Sequence, residues 1–400
     1  MPNKWGFSTA AVHAGQVRDA KYGSILTPIY MEDAFINPNP EEDKILDPLS
    51  GEEYIYSRYG NPTLTTVEKV MADLEGAEAG LLFSSGMSAI STTLLTLTGP
   101  GDHLISLREL YGQTFSFLRK DLPKHGVSVT FLPVDELTKV KDHLRPNTKA
   151  VYLESITNPT LRVPDIQTIS SSLRGTGVKI IVDATFASPY NQNPLSLGAD
   201  IVLHSATKYL NGHNDLIAGA VAGDLDTIKI IRDARTRMGA TPTPLDAFLL
   251  GRGIKTLALR VERQNSSAQR IARFLESELS AYLNRVHYPG LESHHDYAVA
   301  KRVLRGYGGV VSFELKGGDA TAKKFAGSLE LAAKAPSLGG VHSLVTVPRE
   351  TSHHPRTGIT EEELRNMGVN PGLVRLSVGI EDLEDLLFDL EKSIKATVHS

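Results

Sequence analysis

A lysine becomes a covalent catalyst when a folded element delivers its amine to a protected site, and Lys208 has such a setting. The run Ala199-Asp200-Ile201-Val202-Leu203-His204-Ser205-Ala206-Thr207-Lys208 reads as an apolar strand whose carboxyl end carries two hydroxyls and an amine. Ser205 and Thr207 alternate with Ala206, so both can face one site. Hydroxyls beside an amine suit phosphate binding and carbonyl chemistry. A lone lysine in a polar loop ordinarily faces solvent, so the reading depends on its neighbours. A second buried-type strand, Val178-Lys179-Ile180-Ile181-Val182-Asp183, ends in a carboxylate. Asp183 precedes Lys208 by about one strand, a helical connection and the next strand, so the two strand ends could sit side by side.

Two further segments carry weaker signals. Gly80-Leu81-Leu82-Phe83-Ser84-Ser85-Gly86-Met87-Ser88-Ala89 runs from a strand through a small-residue turn into a helix. A helix N-terminus offers free backbone N–H groups and the positive end of a dipole, which cradle a phosphate. Gly86 lets the backbone approach closely. The segment matches neither the P-loop nor the G-x-G-x-x-G pattern. Leu110-Tyr111-Gly112-Gln113-Thr114 follows the strand at His103, where an aromatic ring could stack on a flat ligand.

These residues need a scaffold, and the patterning divides the chain into three regions. Residues 1–60 lack regular periodicity. Pro38, Pro40, Pro48 and Gly51 punctuate a polar stretch containing Glu41, Glu42 and Asp43, which reads as an extended arm with loops. An arm without its own core packs on something else, and a neighbouring subunit is the natural candidate. Residues 61–245 alternate helix-like and strand-like segments. Asn61-Pro62 looks like an N-cap with proline in the first turn. Leu64, Val67, Met71 and Leu74 then recur at helical spacing up to Gly76. Apolar runs at 80–83, 103–107, 127–132, 150–153, 178–182, 201–204 and 217–222 follow. That alternation predicts a mainly parallel α/β sheet, whose ligands bind at the carboxyl ends of strands. Residues 246–400 begin with a long amphipathic stretch. They continue with strand-like 310–315 and 373–378, predicting a smaller α+β domain.

Composition removes several classes of function. With 42 Lys plus Arg against 46 Asp plus Glu, the net charge of −4 gives no basis for a nucleic-acid or anionic-membrane partner. The absence of cysteine excludes disulfides and thiolate chemistry. The N-terminal residues contain no apolar h-region, and no run approaches the roughly 20 apolar residues of a membrane span. The expectation is a soluble, cytoplasmic protein.

Taken in order, these motifs resemble the Cys/Met-metabolism family of PLP-dependent enzymes. The resemblance runs from Tyr56-Ser57-Arg58-Tyr59-Gly60-Asn61-Pro62-Thr63 to Arg375-Leu376-Ser377-Val378-Gly379-Ile380-Glu381. Between them lie Ser85-Gly86-Met87-Ser88-Ala89, Glu154-Ser155-Ile156-Thr157-Asn158-Pro159, the Asp183 strand, His204-Ser205-Ala206-Thr207-Lys208-Tyr209 and Ser337-Leu338-Gly339-Gly340. The resemblance implies PLP fold type I, the aspartate-aminotransferase-like architecture, with pyridoxal 5'-phosphate joined to Lys208 as a Schiff base. Asp183 would pair with the pyridinium nitrogen, keeping the ring an electron sink. Tyr111 would stack on the ring and help protonate the leaving group. Ser85, Gly86, Met87, Ser205 and Thr207 would hold the phosphate. Tyr56 and Arg58 would reach the neighbouring subunit's phosphate, and Tyr56 its substrate as well. Arg375 would grip the substrate carboxylate in a bidentate fork, assisted by Asn158 and Ser337, with Asn158 also near the ring oxygen. The implied activity is γ-elimination or γ-replacement on sulfur-containing or O-acylated homoserine-type amino acids. Cleavage or formation of cystathionine leads, with methionine γ-lyase and O-acetylhomoserine sulfhydrylase as alternatives. The implied assembly is a homotetramer built from dimers with shared active sites.

The chain departs from the family pattern at several points. Methionine γ-lyases commonly carry cysteine where this chain has Gln113, which counts against a dedicated methionine γ-lyase. Pro336 stands where some cystathionine γ-lyases have glutamate. His342 interrupts the usual Gly-Gly-x-Glu-Ser continuation. His353-His354 invites a metal reading, but adjacent histidines point in different directions on helix or strand, so a loop without metal is expected. From another class, a nucleotide-binding α/β protein without PLP lacks its glycine fingerprint here.

Overall fold

A computed structural model of the chain describes residues 5–16, 21–36, 54–354 and 358–398. The punctuated segment around Pro38, Pro40, Glu41, Glu42, Asp43, Pro48 and Gly51 lies outside the described residues. The core of the larger unit is a seven-stranded sheet in the order β1-β7-β6-β5-β4-β2-β3. Its strands are β1 (Ala79–Phe83), β2 (His103–Leu107), β3 (Ser128–Leu132), β4 (Thr148–Glu154), β5 (Lys179–Asp183), β6 (Ile201–His204) and β7 (Gly219–Gly223). β3, β2, β4, β5 and β6 pair in parallel, while β7 runs antiparallel to both β6 and β1. Strands β1, β2, β6 and β7 are buried along their full length, as sheets covered on both faces require.

The helices that cover this sheet follow from local signals. α1 (Phe7–His13) buries Ala10 and Ala11 against α2 (Pro62–Glu75). Within α2, Asn61 Oδ1 accepts the Thr63 N–H, Pro62 opens the helix, and Gly76 ends it in the left-handed region at φ 68°. Leu64, Val67, Met71 and Leu74 all face the core. α3 (Gly86–Leu97) begins at a capping box in which Ser85 and Ser88 exchange side-chain and backbone bonds. The N-terminal region thus contains a helix that its sequence periodicity did not signal. Seven residues make too few turns for a clear apolar stripe.

A second sheet, in the order β10-β11-β12-β9-β8, forms the smaller unit. It comprises β8 (Leu283–His287), β9 (Val310–Leu315), β10 (Ala333–Lys334), β11 (Leu344–Thr346) and β12 (Leu373–Ser377). Helix Pro244–Ile254 and the first turns of Leu257–Ser277 pack with α2, and residues from Ala268 onward join the core beneath this second sheet. Packing therefore changes hands inside one long helix. Among the described residues, no helix is long and apolar enough to cross a membrane.

One predicted strand moves. The run 217–222 was expected to be extended throughout, but β7 starts at Gly219, and Ile217 lies before it, two-thirds exposed. The apolar character of Ile217 belongs to a cavity wall rather than to the sheet.

Candidate active site

Parallel strand ends converge on one cavity of about 570 Å3, a volume suited to a small-molecule site. β5 and β6 are neighbours, with Asp183 opposite Leu203, so Asp183 and the turn after β6 open onto the same space. Lys208 follows in that turn, its N–H bonded to the Ser205 carbonyl. Its Nζ donates to Ser337 Oγ at 2.9 Å. Burial and then the nearby Arg375 guanidinium lower the amine to about 8. A lysine near neutrality can hold or release a proton under ordinary conditions.

Asp183 forms the floor. Its Oδ1 accepts from the Thr185 N–H at 2.9 Å and from the Thr185 hydroxyl at 2.5 Å. Burial pushes this carboxyl above its usual range, against those bonds. Beside it in register stands Glu154, at the end of β4. Glu154 is also buried and is raised well above the usual carboxylate range, first by burial and then by Asp183. Its Oε1 accepts the Tyr111 N–H at 2.7 Å and its Oε2 the Asn158 N–H at 3.1 Å. Sequence reasoning quoted Glu154 within a motif but gave it no role. Its position as a carboxylate ending a buried strand, like Asp183, was the available signal.

Arg375 projects from β12 into the same cavity and is buried. One guanidinium nitrogen donates to Asn158 Oδ1 at 2.9 Å and another to the Ser337 carbonyl at 3.1 Å. Arg375 Nε is buried without a partner, and desolvation lowers the guanidinium to about 10. A buried N–H without an acceptor is costly, and an anionic ligand would relieve it. Ser337 sits between Lys208 and Arg375 at φ 107°, a region that side chains other than glycine rarely adopt. Such backbone strain clusters at functional sites.

The residues present fit the phosphate of PLP. Gly86 and Met87 line the cavity at the first turn of α3, where backbone N–H groups have no helical acceptor. A Cβ at Gly86 would lie 2.8 Å from the Ser205 Cβ, so only glycine leaves this cradle open. Ser205 and Thr207 both line the cavity. They are not equivalent, however. The Thr207 hydroxyl is bonded to the Ala218 backbone on both its donor and acceptor sides. Ser85 is likewise engaged, its Oγ accepting the Ser88 N–H.

Tyr111 also lines the cavity, and burial raises its phenol above the ordinary range. Tyr56 and Arg58 are not among the residues lining this chain's cavity. Arg58 instead lies over the Tyr59 ring and donates to the Thr236 carbonyl.

The family model described as Cys/Met metabolism PLP-dependent enzyme matches residues 8–395. The L-methionine gamma-lyase of Fusobacterium nucleatum subsp. nucleatum is 42% identical over 395 residues, covering 98% of each chain. The cystathionine beta-lyase of Lactococcus lactis subsp. cremoris is also 42% identical, covering 97% of this chain and 98% of that one. Among solved structures, metB from Corynebacterium glutamicum superposes with a TM-score of 0.91 at 39% identity, covering 99% of each chain.

Proposed function

The chain belongs to the Cys/Met-metabolism family of PLP-dependent enzymes, and from that premise we propose γ-elimination on an uncharged thioether amino acid, methionine first, as its reaction. Family membership makes it a PLP-dependent enzyme acting on carbon–sulfur bonds in transsulfuration. The observation that carries the finer reading is the charge inventory of the cavity. Among the described residues, Lys208 and Arg375 are the only lysine or arginine side chains lining it, and Glu154 and Asp183 the only carboxylates. Arg375 takes the substrate carboxylate, and Lys208 is committed to the cofactor. A distal amino-carboxylate, as in cystathionine, meets no further cation from this chain's described residues, and the Arg58 that a neighbouring subunit would bring is assigned to the phosphate. A methyl thioether needs none, and Ile217, Pro336 and Leu338 offer it apolar surface. The similarity to methionine γ-lyases supports the same choice. The cystathionine expectation drawn from the sequence thus gives way to its alternative.

PLP, when bound, supplies an electron sink next to the substrate Cα. Asp183 would keep the ring nitrogen protonated, and the Gly86–Met87 amides with Ser205 would hold the phosphate. Arg375, oriented by Asn158 and the Ser337 carbonyl, fixes the substrate carboxylate. Lys208, once its amine is free, carries protons between the substrate carbons, for which an amine near 8 is suited. Tyr111 stays protonated in its raised state and donates to the departing sulfur. With methionine and water the products are 2-oxobutanoate, ammonia and methanethiol. Tyr56 and Arg58 serve the neighbouring subunit's site, in a homotetramer of dimers. Sedimentation showing a fully active monomer would contradict that sharing.

The test is a substrate panel on the PLP-loaded protein: methionine, cystathionine, and O-acetylhomoserine with a thiol. Methionine should give the highest kcat/KM, with release of thiol and keto acid. Turnover of cystathionine alone, by β-elimination, would sink the reading.

A further inference from the structure

The turn that opens the short helix Gly112–Ser116 and a loop of the smaller unit meet at one side of the cavity: Tyr111 and Gln113 line it from the first, Thr351 and Ser352 from the second. Next to Ser352 stands His353, with no exposed surface although it belongs to a loop. Its Nε2 lies 3.0 Å from the Leu110 carbonyl oxygen and its Nδ1 2.9 Å from Ser352 Oγ. A carbonyl only accepts, so Nε2 carries the ring proton, and Nδ1 accepts from the Ser352 hydroxyl. Burial lowers this imidazole to about 4, which keeps it neutral. A second contact joins the same two segments. A Cβ on Gly112 would come within 1.7 Å of the Ser352 carbonyl oxygen, so no side chain can stand between the two backbones.

We propose that His353 and Gly112 form a latch that holds the Thr351–Ser352 wall against the Tyr111 turn and so limits the length of substrate side chain the cavity accepts. His353 is then a positioning residue, acting through Ser352 and the Leu110 carbonyl without touching substrate. The latch rests on the reading of this cavity as the amino-acid site and adds to it a determinant of specificity. Breaking either contact lets the wall retreat, which favours longer substrates over methionine.

The test uses PLP-loaded enzyme and a series of S-alkyl homocysteines from S-methyl (methionine) to S-butyl. His353→Leu and Gly112→Ala should each lower the kcat/KM preference for S-methyl over S-butyl by about tenfold, the lower end of what a methylene-sized change in a pocket yields. The double variant should lower it no further, because both changes release one contact. His353→Gln, which keeps an N–H for the Leu110 carbonyl, should retain most of the preference. Equal losses on both substrates would make His353 merely structural and overturn the latch, as would effects that multiply in the double variant. Should His353→Leu not fold, an unchanged ratio in Gly112→Ala overturns it on its own. A wild type that binds PLP yet turns over neither substrate would instead refute the proposed reaction, and the latch's role in specificity with it.

Discussion

The floor and the wall of the cavity are built on different principles. The floor consists of strand ends and a helix N-terminus: Asp183 on β5, Lys208 after β6, Arg375 on β12, and Gly86 opening α3. Asp183 and Arg375 are buried and Lys208 half-buried, and each holds at least one hydrogen bond of 2.9 Å or less. The wall consists of loops and the first turn of the short helix Gly112–Ser116, with Gln113, Ile217, Pro336 and Ser352 contributing no charge. Rigid elements hold catalytic geometry better than loops do, whereas loops vary without disturbing the scaffold. The difference separates two questions. On the proposed reading the floor sets which class of chemistry occurs, and the wall which side chain enters.

Damage to the floor should therefore abolish chemistry on every substrate alike. Lys208→Ala is expected to lower kcat by about a thousandfold or more, since both proton transfer and cofactor attachment are lost. Borohydride treatment followed by peptide mapping should fix the cofactor on Lys208 in the wild type and on no lysine in the variant. A label on another lysine would break the distinction at its base. Arg375→Lys comes next. Lysine keeps the charge but loses the planar fork that reaches Asn158, the Ser337 carbonyl and a carboxylate together. KM should rise about a hundredfold across the substrate panel with a smaller change in kcat, the pattern of lost uniform binding. A KM effect confined to one substrate would move Arg375 from floor to wall.

The floor also predicts a pH dependence. On the proposed reading Lys208 would join the cofactor only as the neutral amine, and its burial beside Arg375 lowers it to about 8. The sign follows directly: below about 8 the amine is protonated in a growing fraction of molecules. The rate at which apoenzyme takes up PLP should fall about tenfold for each further unit of pH and level off above about 8. In Arg375→Leu, which removes the second cause of the shift, the midpoint should move upward. A rise that continues toward the ordinary lysine range in the wild type would show that the amine is not desolvated.

Floor and wall also differed in how well the sequence revealed them. Asp183 and Lys208 were legible because an apolar run that ends in a charge already encodes both the strand and its working end. Neighbouring parallel strands then account for their meeting. Glu154 carried the same signal at the end of β4. Its task was hidden because the N–H groups it binds, on Tyr111 and Asn158, come from two different loops. Ile217 read as a strand residue because an isoleucine beside an apolar run looks the same whether it faces a core or a cavity. His353 was the least legible. Its burial and its hold on the Leu110 carbonyl arise only when a loop from the second unit meets the turn after β2. Local patterns encode elements, and contacts between distant loops have no local pattern.

The smallest predicted effect tests the wall alone. Gln113 lines the cavity two residues after Tyr111, the position at which the resemblance read from the sequence leads one to expect cysteine in a methionine γ-lyase. Gln113→Cys removes a carboxamide and leaves a shorter, more polarizable side chain beside the substrate's sulfur. It touches none of the floor residues' hydrogen bonds. The expected result is a severalfold gain in kcat/KM for methionine relative to cystathionine, within the few kcal/mol that one pocket contact commands. Cofactor attachment to Lys208 and the pH profile of its formation should not move. If Gln113→Cys instead shifted that profile or lowered kcat equally on all substrates, the side chain at 113 would be coupled to Lys208. The proposed separation between a floor that performs the chemistry and a wall that selects the substrate would then fail at position 113.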